Sequence, residues 1–145
     1  MPRARIIGTG YAVPDRVVTN EELSRLMDTN DEWIRVRTGI QERRWAVEGE
    51  TGAGFAHQAA LRALDAAGVS ASDLDAIVYA TSTPDHFLPG GGVFLQRLLG
   101  VAPIPALDVR AQCGGFVSGL SVASAWIRAG GERPLRGGGR GVQST

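Results

Sequence analysis

The sequence predicts a layered α/β fold. Three observations predict it. Between Asp75 and Thr81 runs a continuous apolar stretch of strand length, the pattern of a strand buried on both faces. Strand-like and helix-like segments alternate along the chain, as when helices pack over a sheet. The lone cysteine, Cys113, falls where a short apolar strand meets a small-residue helix. That is beyond the carboxyl end of a strand, where open α/β sheets place their sites.

Taken in order, residues 4–10 read as a short strand ending in glycines. Thr19 or Asn20 caps a short helix over Glu21–Met27, with Leu23 and Leu26/Met27 on one face. Thr29 through Glu32 reads as a capping box opening a second short helix with Trp33, Ile34 and Val36, stopped by Gly39. Residues 40–47 look extended and partly exposed. Thr51 caps a longer helix through Ala67, with Gly68 as its stop. Its Ala56, Ala60, Ala63/Leu64 and Ala67 recur at helical spacing and give it a small face. After the 75–81 strand comes a loop carrying Pro84 to Pro89. A helix over 91–99 ends at Gly100, a strand spans 104–109, and Phe116, Leu120, Ala123 and Ile127 mark a last helix. Residues 131–145 form a glycine- and arginine-rich tail. The alternation calls for another apolar strand there, and this stretch makes a poor central one.

Composition narrows the chemistry. The 145 residues suffice for one domain with a core, and the hydrophobic fraction is 43%. Net charge is zero, so bulk attraction to nucleic acid or to a membrane surface is not expected. All 15 basic residues are arginine, which excludes a lysine Schiff base and a lysine-type phosphate loop. The N-terminus lacks a secretory pattern, no apolar run matches a bilayer span, and a single cysteine forms no internal disulfide; a cytoplasmic location is the expectation. His57, His86 and Cys113 are the only soft metal ligands and lie far apart, so a clustered metal site is not expected.

Cys113 has two readings. A lone cysteine can be a buried structural residue. Alternatively, at the start of a helix it meets the positive end of the helix dipole and unpaired N–H groups, which favour the nucleophilic thiolate. The strand–Cys–Gly–Gly–helix setting favours the nucleophile, and Gly114 and Gly115 leave room for a carbonyl to approach. A cysteine hydrolase would need a histidine within reach of the sulfur.

Three segments carry a resemblance to a known family. They are Thr19-Asn20-Glu21-Glu22-Leu23 continuing to Asp31-Glu32-Trp33-Ile34-Arg35-Val36-Arg37-Thr38-Gly39-Ile40-Gln41-Glu42-Arg43-Arg44; then Ala80-Thr81-Ser82-Thr83-Pro84-Asp85-His86-Phe87-Leu88-Pro89; and Ala106-Leu107-Asp108-Val109 leading into Gln112-Cys113-Gly114-Gly115-Phe116. In order and spacing, from about residue 3 to residue 130, they resemble the N-terminal half of β-ketoacyl-acyl-carrier-protein synthase III, a condensing enzyme of the thiolase superfamily.

The resemblance implies a thiolase-like fold, layered α/β/α with a mixed sheet, of two similar halves packed face to face, residues 1–130 forming the N-terminal half-domain with its last core strand in doubt and the C-terminal half being absent. It implies that Cys113 takes an acyl group from acyl-coenzyme A, and that malonyl-acyl carrier protein then condenses with it after losing carbon dioxide. No cofactor is implied; coenzyme A enters with the substrate. Trp33 and Arg37 match positions that hold coenzyme A, through indole stacking and phosphate pairing. Without the resemblance they read as a packing residue and a partner for a surface carboxylate. Arg43 and Arg44 add positive potential at the tunnel mouth, or form a solvated charged strand.

Phe87 and Leu88 lie in the loop that, in the family, crosses a homodimer to shape the partner's acyl pocket. Leu88 stands where phenylalanine is common, so acyl preference stays open. The family's catalytic histidine and asparagine belong to the C-terminal half, and neither His57 nor His86 matches. An isolated 145-residue chain is therefore expected to condense little or nothing. Two further readings remain: a related acyltransferase of secondary metabolism, and a truncated non-catalytic chain. In the tail, Pro134 to Gly141 replaces a Val/Leu-rich strand, and the family pattern resumes at Val142. Compensating frameshifts in a GC-rich gene would leave that pattern.

Overall fold

The structure is a computed structural model that describes residues 3–129 and the backbone of residues 141–144. The chain divides into two compact units, Val13–Glu50 and a larger one made of residues 1–12 and 51–145.

The smaller unit is an antiparallel ribbon with two short helices. Strand β1 (Val17–Thr19) leads directly into α1 (Asn20–Ser24); α2 (Asp31–Thr38) follows, then β2 (Glu42–Arg44), which pairs with β1 so that Val18 lies opposite Arg43. Thr19 Oγ1 accepts the Glu22 N–H at 3.1 Å and so caps α1. The helix stops at Ser24, short of the expected Met27, where Arg25 N–H turns back to the Glu22 carbonyl and the Leu23 carbonyl accepts from both Leu26 and Met27 N–H. Leu26 and Met27 are consequently exposed. Asn30, not Thr29, caps α2, its Oδ1 accepting the Trp33 N–H at 2.8 Å. Val18 and Ile34 are buried.

Asn20 is the buried polar residue of this unit, 2% exposed. Its amide donates to Asp31 Oδ1 and to the Ile40 carbonyl, each at 2.8 Å, and its Oδ1 accepts from Arg43 Nη2 at 2.5 Å. Every polar atom of that side chain is therefore partnered, as burial requires.

The larger unit is the predicted α/β layer structure. Helix α3 (Gly52–Ala67) is followed by a single 3₁₀ turn (Ala71–Asp73), β3 (Ala76–Ala80), α4 (Gly91–Leu99), β4 (Ala106–Val109), a second 3₁₀ turn (Gln112–Gly114), α5 (Gly115–Ala129) and β5 (Gly141–Ser144). The strand order is β4-β3-β5, all parallel, with Ile77 beside Ala106 and Val142. Parallel and antiparallel pairing both occur, in separate sheets.

β3 is buried along its whole length. Ile77 and Tyr79 point to one face, where they pack with Ala56, Ala60 and Leu95 of α3 and α4. Alternation sends Ala76, Val78 and Ala80 to the other face. There Gly115, at the start of α5, seats against Ala80. Thr51 Oγ1 caps α3 at the Gly54 N–H, 3.1 Å away, and Gly68 ends it in the left-handed conformation (φ 63°), which costs glycine little.

Two expectations change here. Residues 4–10 form no strand. Gly8 and Gly10 bring that segment so close to α3 that a side chain on either would run into the Ala63 and Ala59 carbonyls. β3 already has β4 on one edge and β5 on the other, so no edge of it is open to residues 4–10. Nor does the sheet lose its third strand. Gly141–Ser144, past the arginine-rich stretch, pairs with β3. The replaced segment itself, and its origin, lie outside the described residues.

Candidate active site

Three helices of the larger unit begin at the carboxyl edge of the parallel sheet. α4 and α5 follow β3 and β4, and the start of α3 binds Asp85 in the loop after β3. Each helix start presents N–H groups without intrahelical partners. Two of the three are filled by carboxylates. Asp85 accepts Gly52 N–H at 2.8 Å through Oδ1 and Ala53 N–H at 2.9 Å through Oδ2. Asp108, on β4, accepts Gly91 N–H at 2.7 Å and Gly92 N–H at 2.9 Å. At the third start, Ala111 precedes the 3₁₀ turn that carries Cys113 into α5 and offers no capping side chain, and Cys113 is exposed. Gln112, just before it, adopts φ 41°, a left-handed conformation costly for a residue with a Cβ. A side chain at Gly114, next to Cys113, would meet open space.

The loop between β3 and α4 is held at several points. Asp85 ties it to α3. The His86 ring packs on Phe94 with centroids 4.6 Å apart. The Arg110 guanidinium lies 4.6 Å over the Phe87 ring. Phe87 and Leu88 nevertheless stand out in solvent, 79% and 87% exposed. Beneath the loop sits Tyr79, buried, its ring filling the space a side chain at Gly91 would need. Burial first, then the Asp85 and Asp108 carboxylates, push the Tyr79 hydroxyl above its ordinary value of 10.0.

In the smaller unit, Trp33 and Arg37 are one turn apart on α2. The Arg37 guanidinium stacks 4.5 Å above the Trp33 ring, which is 51% exposed. The two residues expected to hold one ligand are thus side by side. Arg43 is not a solvated charge: it donates to Asn20 and to the Val18 carbonyl, and so braces the unit. Arg44 donates to the Pro14 and Asp15 carbonyls.

A cavity of about 320 Å³ lies beside α3 and α4, lined by Thr51, Asp85, His86, Phe94 and Arg97 among others. Cys113 is not among its lining residues, and the chemistry, not the concavity, marks the site. Among the described residues no cluster of metal-ligating side chains occurs, and no helix is long and apolar enough to cross a membrane. Sequence reasoning missed Asp85, Asp108, Tyr79 and Asn20. The one available signal was an aspartate in the loop after β3 and another within β4, 33 and 17 residues from the helix start each serves.

No protein-family model matches the chain. Curated relatives do. The β-ketoacyl-[acyl-carrier-protein] synthase III of Laribacter hongkongensis is 50% identical over 130 residues, covering 90% of this chain and 41% of the relative. That of Xylella fastidiosa is 51% identical over 127 residues, covering 88% of this chain and 39% of the relative. Among solved structures, the 3-oxoacyl-[acyl-carrier-protein] synthase III of Aquifex aeolicus superposes with a TM-score of 0.83 at 44% identity, over 87% of this chain and 41% of that one. The priming β-ketosynthase of the R1128 polyketide biosynthetic pathway gives 0.85 at 36% identity, over 91% and 40%. The chain spans about two fifths of the length of the relatives it matches. In sequence and in its thiolase-like fold, this chain matches the N-terminal part of β-ketoacyl-acyl-carrier-protein synthase III.

Proposed function

We propose that this chain supplies the nucleophile and part of the coenzyme A site of a β-ketoacyl-acyl-carrier-protein synthase III-type acyltransferase that initiates fatty-acid synthesis. Cys113 Sγ attacks the carbonyl of an acyl-coenzyme A, and the coenzyme A thiolate leaves. A malonyl group on acyl carrier protein then loses carbon dioxide, and its carbanion attacks the acyl-cysteine thioester. The cysteine thiolate departs and a β-ketoacyl thioester remains. In this reading the Cys113 backbone N–H is one donor to the developing oxyanion. Trp33 and Arg37 hold the adenine and a phosphate of coenzyme A, and Phe87 and Leu88 shape the acyl pocket of a partner subunit. The working protein is a cytoplasmic homodimer whose histidine and asparagine come from a C-terminal half.

The observation that carries this reading is the contrast between the helix starts. Asp85 and Asp108 occupy two of them, while the third, where β4 turns into α5 at the carboxyl edge of the sheet, bears the exposed thiol of Cys113. The test is to supply acetyl-coenzyme A and malonyl-acyl carrier protein to the full-length protein and follow β-ketoacyl-acyl carrier protein and carbon dioxide. Both should appear with wild type and vanish in Cys113→Ser. Product formation by the serine variant would overturn the assignment.

The fold similarity to a polyketide priming ketosynthase supports a second reading, in which the same acyl-cysteine serves secondary metabolism. The two part on the acceptor. Condensation only with a dedicated polyketide carrier protein would select the second.

A further inference from the structure

The exposed tip of the β3–α4 loop is apolar, yet the loop does not rest on apolar burial. We infer that Asp85 is a positioning residue for this tip, its carboxylate fixing where the Phe87 and Leu88 side chains stand.

Asp85 lies just before His86 and Phe87 in the chain. Both of its oxygens are committed, one to Gly52 N–H and one to Ala53 N–H, at 2.8 and 2.9 Å. A two-point bond between a carboxylate and successive backbone amides fixes orientation as well as distance. It is also favoured by the dipole of α3, a helix of 16 residues. At the far end of the loop Asp108 holds Gly91 and Gly92 in the same way. The segment 86–90 is therefore strung between two carboxylate clamps that take their footing on different helices. Between them lie two ring contacts, His86 on Phe94 and Phe87 under Arg110. Of the two clamps, Asp85 alone is part of the loop. α3 does not depend on it for its cap, because Thr51 already caps Gly54. The second carboxylate thus serves the loop more than the helix. Pre-organising an apolar tip reduces the ordering cost of whatever it contacts. Because Phe87 and Leu88 shape an acyl pocket in the function proposed above, on which this consequence rests, Asp85 sets acyl-chain preference without touching the acyl group.

The test compares Asp85→Asn with Thr51→Ala, which loosens the same helix start without touching the loop. In the 145-residue chain, chymotryptic cleavage after Phe87 should be about tenfold faster in Asp85→Asn than in wild type, the factor expected for one lost cap. Thr51→Ala should not change it. Asp85→Ala, checked by circular dichroism for retained helix, should act in the same direction. Equal cleavage of wild type and Asp85→Asn, or the same acceleration in Thr51→Ala, overturns the inference.

In the full-length protein, the ratio of Cys113 acylation by acetyl- and hexanoyl-coenzyme A should shift by about tenfold in Asp85→Asn, the low end of a methylene-sized change in fit. The rate of alkylation of Cys113 by iodoacetamide should stay the same. An unshifted ratio overturns the link to acyl preference. Absence of acylation in wild type overturns the proposed function instead, and the cleavage comparison then decides the role of Asp85 alone.

Discussion

The Asp108 carboxylate accepts the Gly91 N–H at 2.7 Å, joining the last part of one strand to the first turn of the helix that precedes it in sequence. The bond ties β4 to α4 across the carboxyl edge of the sheet, close in the chain to the turn that carries Cys113. Asp108→Asn keeps one acceptor oxygen, whereas Asp108→Ala removes both. We expect Asp108→Asn to cost about 1 kcal/mol and Asp108→Ala about 2 kcal/mol, the range of lost helix caps. Urea denaturation would read this as a lower midpoint at constant slope.

Gly91 also has a steric reason. A Cβ there would enter the Tyr79 ring, which is itself wedged among α3, α4 and β3. Gly91→Ala should destabilise by about 1–3 kcal/mol, the cost of overpacking, even though alanine is the better helix former. Pairing it with Tyr79→Leu should recover part of the loss, and a thermal melt of the single and double variants measures both.

Tyr79 gives a pH dependence. Its hydroxyl titrates above 10.0 when folded because burial and the Asp85 and Asp108 charges disfavour the phenolate. The unfolded chain then releases that proton first. Stability from this group is intact below pH 10.0 and falls as pH rises from there through the raised folded value. Tyr79→Phe removes the effect. Denaturation midpoints between about pH 9 and 11 should therefore fall more steeply for wild type than for Tyr79→Phe, on the scale set by model tyrosine titration near 10.

The Trp33–Arg37 stack leads to a kinetic expectation. In the proposed function Arg37 pairs with a phosphate, so its removal should weaken binding of acyl-coenzyme A about tenfold, the usual scale for a charge-assisted hydrogen bond. In Arg37→Ala the concentration of acyl-coenzyme A for half-maximal acylation of the full-length protein should rise by that factor. The limiting rate should stay close to wild type, since Arg37 does not act on the reacting carbonyl. Trp33 fluorescence should change as well, because the cation above its ring is gone.

Much of this architecture is legible along the chain. Thr51 and Gly68 bracket α3 because cap and stop act on adjacent residues. The run around Ile77 declares a strand buried on both faces, and Cys113 falls at the strand–helix join as expected. What stays hidden is whatever depends on partners far away in sequence. Ile6 and Ile7 look like strand residues, but local pattern does not reveal that Gly141–Ser144 takes the free edge of β3. Asn20 reads as a helix cap, and its burial is explained only by Asp31, Ile40 and Arg43. Arg43 reads as a surface charge for the same reason. Asp85 and Asp108 look like ordinary loop and strand-end residues until the fold brings the starts of α3 and α4 to them.

The central claim is that Cys113 carries the acyl group. Incubating the full-length protein with acetyl-coenzyme A alone, then quenching and mapping peptides by mass, tests it most directly. The expected result is a single acetyl group on the peptide containing Cys113, absent from Cys113→Ser and discharged when malonyl-acyl carrier protein is added. An unmodified Cys113 peptide, or an acetyl group on another residue, would contradict it.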